Sequence, residues 1–471
     1  MIIEQIYTGC LAQGAYYIES NGEVAIIDPL REVQDYIDRA KTNNAKITYI
    51  FETHFHADFV SGHVTLAEKT GAKIVYGPTA KTNFSSIIAK DNQVFQLGEI
   101  TITLLHTPGH TMESSCFLLK NKEGKDIALF SGDTLFLGDV GRPDLAQKGD
   151  LTERDLAGFL YDSLRTKIMP LADDVIVYPA HGAGSACGKN LSKETIGTIG
   201  NQKKTNYALR ANMSKEEFIK EVTDGLLPPP AYFPLNVKLN KQGYEDIDNV
   251  IKNSKKPLSV TNFELMANNY NAIVLDVRHQ SEFVKGFIPQ SIFIGVEGGF
   301  APWVGALIKD ITQPILLVCE PGREEEVITR LSRVGFDNVL GYLEGSFASW
   351  KNAGKEIDSL DSISASLLEN KINDKDTLIF DVRKPGEFAN EHVIVAENTP
   401  LDFLNNHITQ FPKDKPFYVH CAGGYRSVIA ASILKARGFH NVIDIAGGYA
   451  AIKNTSIQRS HTVCPSTLKN N

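Results

Sequence analysis

The chain has 471 residues, a length that suggests about three domains, each large enough to bury its own core. A formal net charge of −8 provides no basic surface for a polyanion, which excludes nucleic acid as a partner. The six cysteines form no C-x-x-C pair, a usage that suits a reducing compartment. Neither a secretory leader nor a membrane-spanning stretch is recognisable, so we expect a cytoplasmic protein that contacts no membrane.

The first part of the chain is predicted to alternate strands and helices. Asn21-Gly22 is a hairpin signal between two strand-like runs. Helical spacing follows at residues 31–42, and an apolar run at 47–51 reads as a buried strand. The earlier strand-like runs are residues 2–7, 15–19 and 23–27.

The segment directly after this buried strand carries metal-ligand chemistry. It reads THFHADFVSGH at residues 53–63. His54, His56 and Asp58 alternate along it, so an extended backbone would point all three side chains to one side. Two imidazoles and a carboxylate converging at a strand end are typical ligands of a transition metal.

Three later segments place further ligand types at strand ends. TPGHT contains His110, SGDT contains Asp133, and YPAHG contains His181, each after an apolar run. Satisfied core histidines are the alternative to a metal site. The repetition of the pattern at four strand ends favours a metal site.

These four pieces, in this order, resemble the metallo-β-lactamase superfamily over about residues 1–245. The resemblance implies an αββα sandwich with the metal at one edge of two facing sheets. The commonest motif of the family is His-x-His-x-Asp-His, whose last His helps to hold a second metal. Phe59 stands at that position and cannot bind a metal, which disfavours a two-zinc site of the glyoxalase II kind, unless His63 reaches in from the following helix.

Three polar residues are candidates for substrate binding at the mouth of the predicted site. Arg142, in a glycine-rich loop, is placed to bind an anion unless that loop is a plain connector. Lys203 and Asn206 either add polar groups at the same mouth or belong to a solvated helix face.

Cys187 lies six residues after His181 in the loop HGAGSACG. This loop is not a dinucleotide-binding motif, because its glycine spacing is one residue too long and no acidic partner follows at the right distance. Cys187 is either an inert buried thiol or a reactive thiol that relays sulfur at the metal. The glycines around it give the backbone freedom to move the thiol towards the metal.

An internal repeat follows the proline-rich stretch 227–234, which is predicted to break secondary structure and to leave the first domain. IVLDVR at 273–278 recurs as LIFDVR at 378–383, and ILLVC at 315–319 recurs as FYVHC at 417–421. Strands and helices alternate in both copies, which predicts two small α/β domains with mostly parallel sheets.

The second copy carries the motif HCAGGYRS, in which Cys421 ends a strand and a helix follows a glycine-rich loop. Backbone N–H groups and the positive helix end would lower the pKa of this thiol, and Arg426 adds positive charge. The motif resembles the active-site loop of the rhodaneses, as do the Asp-x-Arg and Glu-Phe pieces with His392 downstream. The resemblance covers roughly residues 257–355 and 360–455.

The first copy departs from this pattern. Its loop from Cys319 to Arg323 is one residue shorter. Glu320 and Glu324 put negative charge where an anionic sulfur should lie, and Pro321 removes an N–H donor. We predict a degenerate, mostly structural rhodanese-like domain. The predicted domains are 1–245, 257–355 and 360–471, the last with a C-terminal tail.

The whole combination resembles the persulfide dioxygenase–rhodanese fusions, which implies one mononuclear Fe(II) in the first domain. Two imidazoles and one carboxylate on one face of the metal leave positions for O2 and substrate. The residues that match the family's iron ligands are His54, His110 and Asp133. The residues expected to orient ligands and solvent are His56, Asp58 and His181.

The resemblance implies that a thiol persulfide, O2 and water become the thiol and sulfite, as in sulfide detoxification. Cys421 would pass sulfur to sulfite, giving thiosulfate, or work in reverse. The carrier stays open among glutathione, coenzyme A, another small thiol or the protein's own cysteine, because Ala183 replaces a Tyr of glutathione-using relatives. We also expect a homo-oligomer. The alternatives are a zinc thioester hydrolase of the glyoxalase II type with an attached sulfurtransferase, or a non-catalytic sulfur relay.

Overall fold

The computed structural model describes residues 1–146, 151–189, 191–372, 374 and 376–462. The chain divides into two compact units, of which the first comprises Met1–Val250 with Leu331–Gly335 and the second comprises the remainder. Among the described residues, no helix combines the length and the hydrophobicity that crossing a bilayer requires.

The first unit is built on two six-stranded sheets. Its strands are β1 (Ile2–Thr8), β2 (Gln13–Ser20), β3 (Glu23–Ile27), β4 (Lys46–Phe51), β5 (Lys73–Tyr76), β6 (Ile87–Ile88), β7 (Val94–Leu97), β8 (Ile100–His106), β9 (Ser115–Lys120), β10 (Asp126–Gly132), β11 (Ile176–Pro179) and β12 (Gly197–Thr198). The first sheet runs in the order β1 to β6, antiparallel up to β3 and parallel beyond it. The second runs from β12 to β7, and its one parallel pair is β10 with β11.

Helices cover the outer face of each sheet. They are α1 (Gln34–Thr42), α2 (His63–Thr70), α3 (Glu153–Ser163), α4 (Ile199–Thr205), α5 (Lys215–Thr223), α6 (Phe233–Gln242) and α7 (Ile247–Ser254), with a π turn at Leu164–Ile168 and a 3-10 turn at Tyr207–Leu209. Side chains of α1 and α2 pack on the first sheet, and side chains of α3, α4 and α5 pack on the second.

The main core lies between the two sheets. Along β2, Tyr16 and Ile18 point into this core, whereas Ala15 and Tyr17 point to the helices on the other face. This alternation follows from the two-residue period of a strand, and it makes both faces of the sheet apolar. The αββα sandwich implied by the resemblance is therefore confirmed.

Most local predictions for this unit hold, and two boundaries change. The predicted alternation of strands and helices is wrong beyond α2, because the described residues 73–132 form β5 to β10 with no helix between them. Asn21 and Gly22 form the predicted turn, with positive φ angles of 47° and 78°. The first helix begins at Gln34 and not near residue 31, because Arg31 is buried and donates to the Glu245 carbonyl oxygen at 2.8 Å. The proline-rich stretch does not stay irregular to its end, since α6 accepts Pro234 in its first turn, where no N–H is needed.

The second unit contains two five-stranded sheets, and every strand pairing in them is parallel. The strands are β13 (Pro257–Leu258), β14 (Ile273–Asp276), β15 (Ile292–Phe293), β16 (Ile315–Val318), β17 (Val339–Leu343), β18 (Asp361–Ser364), β19 (Ile379–Asp381), β20 (Ala396–Asn398), β21 (Phe417–His420) and β22 (Val442–Ala446). The orders are β13-β17-β16-β14-β15 and β18-β22-β21-β19-β20. The same order in both sheets confirms the internal repeat.

Helices connect the strands of both sheets. They are α8 (Val260–Asn269), α9 (Gln280–Phe283), α10 (Phe300–Leu307), α11 (Glu324–Ser332), α12 (Ser346–Asn352), α13 (Ala365–Glu369), α14 (Pro385–Asn390), α15 (Leu404–His407), α16 (Tyr425–Ala436) and α17 (Gly448–Ile452), with 3-10 turns at Leu401–Phe403 and Ile408–Gln410. The end of the tail predicted for the last domain, residues 463–471, lies outside the described residues.

Candidate metal centre and sulfur-transfer loop

Three buried side chains from different strand ends meet at one edge of the sandwich. His54 follows β4, His110 follows β8 and Asp133 follows β10. Their ligand atoms all lie within 4.8 Å of one another. Asp133 Oδ2 is 3.8 Å from His54 Nε2 and 3.4 Å from His110 Nε2. The structure thus brings together the three residues that match the iron ligands of the resembling family, and we call them the metal triad.

Each imidazole of the metal triad is held through its other nitrogen. His110 Nδ1 lies 2.8 Å from the Arg142 carbonyl oxygen, so this nitrogen carries the hydrogen and Nε2 keeps its lone pair. His54 Nδ1 lies 3.0 Å from Thr53 Oγ1, which itself donates to Asp28 Oδ2 at 2.8 Å. This arrangement directs the Nε2 lone pair of each ring towards Asp133.

The metal triad fits a divalent metal ion. Asp133 Oδ2 is buried and has no hydrogen-bond partner among the described residues. Burial alone would raise the pKa of Asp133, but the neighbouring His181 imidazolium lowers it well below its usual range. Burial, followed by the charge of His56, lowers the pKa of His54 well below its ordinary value. The two groups are therefore a carboxylate and a neutral imidazole, which are the forms that bind metals.

His181 lies between two carboxylates. Its Nδ1 is 2.8 Å from Asp133 Oδ1, and its Nε2 is 2.8 Å from Asp58 Oδ2. Burial opposes the charged form, but Asp133 and Asp58 together raise the pKa of His181 well above its ordinary value. His181 is therefore an imidazolium that fixes the orientation of Asp133, and its geometry fits the orienting role predicted for it.

His56 lies beside His54, with ring centroids 4.2 Å apart, but it is not part of the metal triad. His56 Nε2 instead lies 3.1 Å from Asp28 Oδ1 and 3.6 Å from Glu52 Oε2. Burial opposes the charged form of this ring, but Asp28 and Glu52 raise its pKa to about 9.

An apolar ring fills the position of the last His of the family motif. Phe59 is fully buried, and its ring centroid is 4.4 Å from that of His56. His63 does not replace it, because its ring packs against Tyr244 and its Nδ1 faces Glu52 at 3.7 Å. Neither side chain offers a ligand to a second metal.

Cys187 lies beside the metal triad in the loop after β11. Its sulfur and the ligand atoms of Asp58 and His181 all lie within 4.8 Å of one another. The side chain is buried, and burial, followed by the charges of Asp58 and Asp133, raises the pKa of the thiol well above its ordinary value. The carbonyl oxygen of Cys187 accepts the N–H of Arg142 at 3.0 Å.

Arg142 braces this edge of the site and does not offer a free anion receptor. Its guanidinium makes two hydrogen bonds to Asp144, each of 2.6 Å, and others to the carbonyl oxygens of Ala186 and Leu227. The sequence correctly predicted that this residue lies near the metal triad. It did not predict that Asp144, two positions later, forms a salt bridge with the guanidinium. Its backbone holds His110 and its side chain holds the Cys187 loop.

The two other candidates for substrate binding also have structural partners. Lys203 Nζ contacts the Leu171 carbonyl oxygen at 2.9 Å and Asp173 Oδ1 at 2.7 Å. The buried Asn206 amide donates to the carbonyl oxygens of Phe136 and Asp139. These contacts correspond to the helix-face alternative for Lys203 and to a loop anchor for Asn206.

Sequence reasoning missed Asp28 and Gly141. Asp28 follows β3 and accepts from both the backbone N–H and the hydroxyl of Thr53 at 2.8 Å. An acidic residue directly after an apolar strand was the available signal. A side chain at Gly141 would collide with the Asp133 carbonyl oxygen and lie 3.0 Å from His110 Nδ1, so the close approach of this loop to the metal triad requires glycine.

In the second unit, Cys421 directly follows β21 and is buried at the start of α16. Its sulfur accepts the N–H of Gly424 at 3.1 Å. Gly424 has a positive φ of 100°, which turns the chain into the helix and aims this N–H at the sulfur. Arg426 makes hydrogen bonds of 2.7 and 2.9 Å to Glu387 at the edge of the loop. His392 is farther along the fold, with its ring stacked on Phe388.

Comparisons with known proteins agree with this architecture. The description "Metallo-beta-lactamase superfamily" matches residues 8–181, and "Rhodanese-like domain" matches residues 259–353 and 364–455. A crystal structure of a metallo-beta-lactamase from Staphylococcus aureus subsp. aureus COL is 30% identical, with a TM-score of 0.64. That likeness covers 73% of this chain and 98% of that one.

Partial similarities point to further proteins. The chain is 31% identical over 187 residues to the hydroxyacylglutathione hydrolase of a Polaromonas species, covering 38% of this chain and 66% of that protein. It is 32% identical over 161 residues to a probable hydroxyacylglutathione hydrolase of Schizosaccharomyces pombe, covering 33% and 58%. The chain thus spans less than two thirds of the length of these curated relatives. A crystal structure of ETHE1 from Myxococcus xanthus is 27% identical and covers 51% of this chain and 98% of that one, with a TM-score of only 0.44. The chain belongs to the metallo-β-lactamase superfamily, and its metallo-β-lactamase domain is followed by two rhodanese-like domains.

Proposed function

We propose that the metallo-β-lactamase domain is an Fe(II)- and O2-dependent persulfide dioxygenase and that Cys421 is the nucleophile of an attached sulfurtransferase. The observation that carries the proposal is the metal triad itself. It offers two imidazoles and one carboxylate from one side, and Phe59 stands where a second metal would need a ligand. This donor set suits a single iron that keeps open coordination positions.

When bound, Fe(II) would supply the coordination positions and the redox chemistry that the oxidation of sulfur by O2 requires. The chain's own residues orient the ligands. Thr53 and the Arg142 carbonyl oxygen fix the two imidazoles, and His181 fixes Asp133. Such hydrogen bonds to the far side of metal ligands set their orientation before the metal binds.

The proposed reactions are linked through sulfite. In the first, a persulfide RSSH reacts with O2 and water to give the thiol RSH, sulfite and two protons. In the second, sulfite takes the outer sulfur of a Cys421 persulfide, which leaves the Cys421 thiolate, thiosulfate and one proton. The N–H of Gly424 stabilises the departing thiolate, as an N–H donor stabilises any anion that develops in a reaction. The second reaction also runs in reverse.

We include Cys187 in the proposed chemistry as a sulfur relay. Its position beside Asp58 and His181 would let it accept the outer sulfur of RSSH, forming a Cys187 persulfide and RSH, and present that sulfur at the metal triad. Single-turnover sulfite formation in Cys187→Ser protein tests this step. The relay requires slower sulfite formation at unchanged iron content. A wild-type rate with every carrier persulfide, together with no Cys187 persulfide by mass spectrometry, would reject it.

A zinc thioester hydrolase is the second candidate. The partial similarity to hydroxyacylglutathione hydrolases favours it, and so does the group formed by Asp58, His181 and Cys187, which offers donor atoms for a second metal. In that case Cys187 would have to bind the second metal in place of the motif His that Phe59 replaces. Two zinc ions would activate a water molecule for attack on the thioester carbonyl.

O2 uptake by iron-loaded protein separates the two candidates. The substrates are the persulfides of glutathione, coenzyme A and other small thiols, with a hydroxyacylglutathione thioester as the matched hydrolase substrate. We expect O2 to be consumed with a persulfide and no hydrolysis of the thioester. Thioester hydrolysis by zinc-loaded protein, with no O2 uptake for any persulfide, would favour the hydrolase.

A further inference from the structure

We propose that the first rhodanese-like copy is a structural part of the Cys421 site, and that Tyr425 is the positioning residue through which it acts. This inference rests on the sulfur-transfer half of the proposed function and is independent of the metal. It gives the degenerate copy a role, namely to hold the cysteine loop, residues 421–426, in the conformation that faces the sulfur.

Tyr425 connects the cysteine loop to the first copy. Both copies belong to the same compact unit. The Tyr425 hydroxyl donates to the Gly295 carbonyl oxygen, two residues beyond β15, at 2.6 Å. The Phe293 ring meets the Tyr425 ring edge to face with centroids 5.9 Å apart. A phenol with one polar tip and an apolar body is suited to such a mixed contact.

A glycine of the first copy makes room for this ring. A Cβ atom at Gly298 would lie 2.6 Å from both Cε atoms of Tyr425, a distance that real side chains do not tolerate. Phe293, Gly295 and Gly298 therefore form a socket that the Tyr425 ring fills. The neighbouring Gly299 faces only Trp303, with a nearest distance of 3.4 Å, which is ordinary contact.

Helix α16 makes two more contacts, one with the first copy and one with Asp358 in the segment that follows that copy. Ser432 Oγ accepts the N–H of Phe293 at 3.0 Å, and Lys435 Nζ contacts Asp358 Oδ1 at 2.8 Å. Ser432 lies seven residues after Tyr425, so both side chains lie on one side of the helix. The first copy thus holds α16 along its length and not only at its start.

The consequence for the sulfur follows from the order of the residues. Tyr425 directly follows Gly424, whose N–H is 3.1 Å from the Cys421 sulfur. Fixing the Tyr425 ring fixes the start of α16, and with it the direction of that N–H and of the positive helix end. A loose loop would still contain the cysteine, but it would stabilise the thiolate less.

The test compares Gly298→Ala with Gly299→Ala in the full chain. We expect Gly298→Ala to lower kcat for thiosulfate:cyanide sulfur transfer by about tenfold, because one oriented donor to an anion is lost. In the same variant, alkylation of Cys421 by iodoacetamide should begin at higher pH than in the wild type. Mass spectrometry of the peptide that contains Cys421 measures this. Gly299→Ala should leave both unchanged, and Tyr425→Phe should shift both in the same direction as Gly298→Ala but less.

Two outcomes would overturn the inference. One is a folded Gly298→Ala protein with the wild-type kcat and alkylation profile. The other is a Tyr425→Phe protein whose kcat and alkylation profile are both unchanged. This second outcome is sufficient by itself if Gly298→Ala does not fold. Alkylation reports on the sulfur whatever its substrate is. A wild-type protein that is alkylated normally but transfers no sulfur would therefore contradict the proposed function and leave the socket intact.

Discussion

Cys319 and Cys421 follow equivalent strands, β16 and β21, of two sheets that have the same strand order. The surroundings of the two sulfurs nevertheless differ. The Cys421 sulfur accepts the N–H of Gly424 at 3.1 Å. In the first copy, the N–H of Gly322 donates to the carboxylate of Glu324 instead, at 3.0 and 3.1 Å. An acidic side chain of the loop thus takes a donor that the second copy aims at sulfur.

The scaffold beneath the two loops is the same. Arg278 binds Asp276 with hydrogen bonds of 2.6 to 3.1 Å, and Arg383 binds Asp381 with hydrogen bonds of 2.6 to 3.0 Å. The difference therefore lies in the loop and not in the fold. Burial, then Glu324 and Asp276, raises the pKa of Cys319 to about 12, so this thiol is neutral at pH 7. A shared fold does not by itself make a cysteine reactive.

The largest expected effect is that of Cys421→Ser. It should lower thiosulfate:cyanide sulfurtransferase activity by about a thousandfold or more, because the thiolate is the nucleophile. Turnover assays on the full chain measure this, with unchanged iron content as the control for folding of the first unit. Residual activity within tenfold of the wild type would mean that another residue carries the sulfur.

Asp133→Ala tests whether the metal-dependent activity is independent of sulfur transfer by the cysteines. Removing the carboxylate of the metal triad should lose iron and O2-dependent sulfite formation, since two imidazoles alone hold the ion weakly. Sulfurtransferase activity should stay at the wild-type level. Metal analysis and O2 uptake, measured beside the thiosulfate:cyanide assay, test this independence, and a parallel loss of both activities would contradict it.

Glu324→Gln should bring the first copy closer to the second. Removal of this charge lowers the pKa of Cys319, because Glu324 is the largest charged contribution that raises it. Alkylation of the Cys319 peptide should therefore begin at lower pH. Glu325→Gln is the matched control, since that neighbouring carboxylate pairs with Lys255 on the surface. Equal shifts in the two variants would show that the contact with Gly322 is unimportant.

Cys319→Ser should have the smallest effect. We expect sulfurtransferase activity to change by less than about twofold, because Glu324 takes the N–H of Gly322 that would otherwise stabilise an anionic Cys319 sulfur. The assay is the one used for Cys421→Ser, so the two variants form a direct pair. A loss comparable to that of Cys421→Ser would show that the first copy is not degenerate.

The strand-end pattern predicted a metal site, because strands of a sandwich bring their ends to a common edge. The sandwich itself and the choice of the metal triad as ligands came from the family resemblance. The pattern did not reveal that His56 faces Asp28 and Glu52, because these contacts depend on how other strand ends pack beside it.

Arg142 shows a second limit of prediction from sequence. Its salt bridge with Asp144 depends on how the loop folds back on itself. The hydrogen bond between Tyr425 and Gly295 joins residues 130 positions apart, and no local sequence pattern predicts it.

The metal content of protein expressed with ample iron tests the central claim most directly. The protein is purified without chelators, and both its iron content and the O2 consumed per sulfite formed are measured. We expect one iron per chain and one O2 consumed for each sulfite. Asp133→Ala, treated in the same way, should contain no iron at this site. Two zinc ions per chain, with no consumption of O2 when a thiol persulfide is supplied, would contradict the assignment of a mononuclear iron dioxygenase.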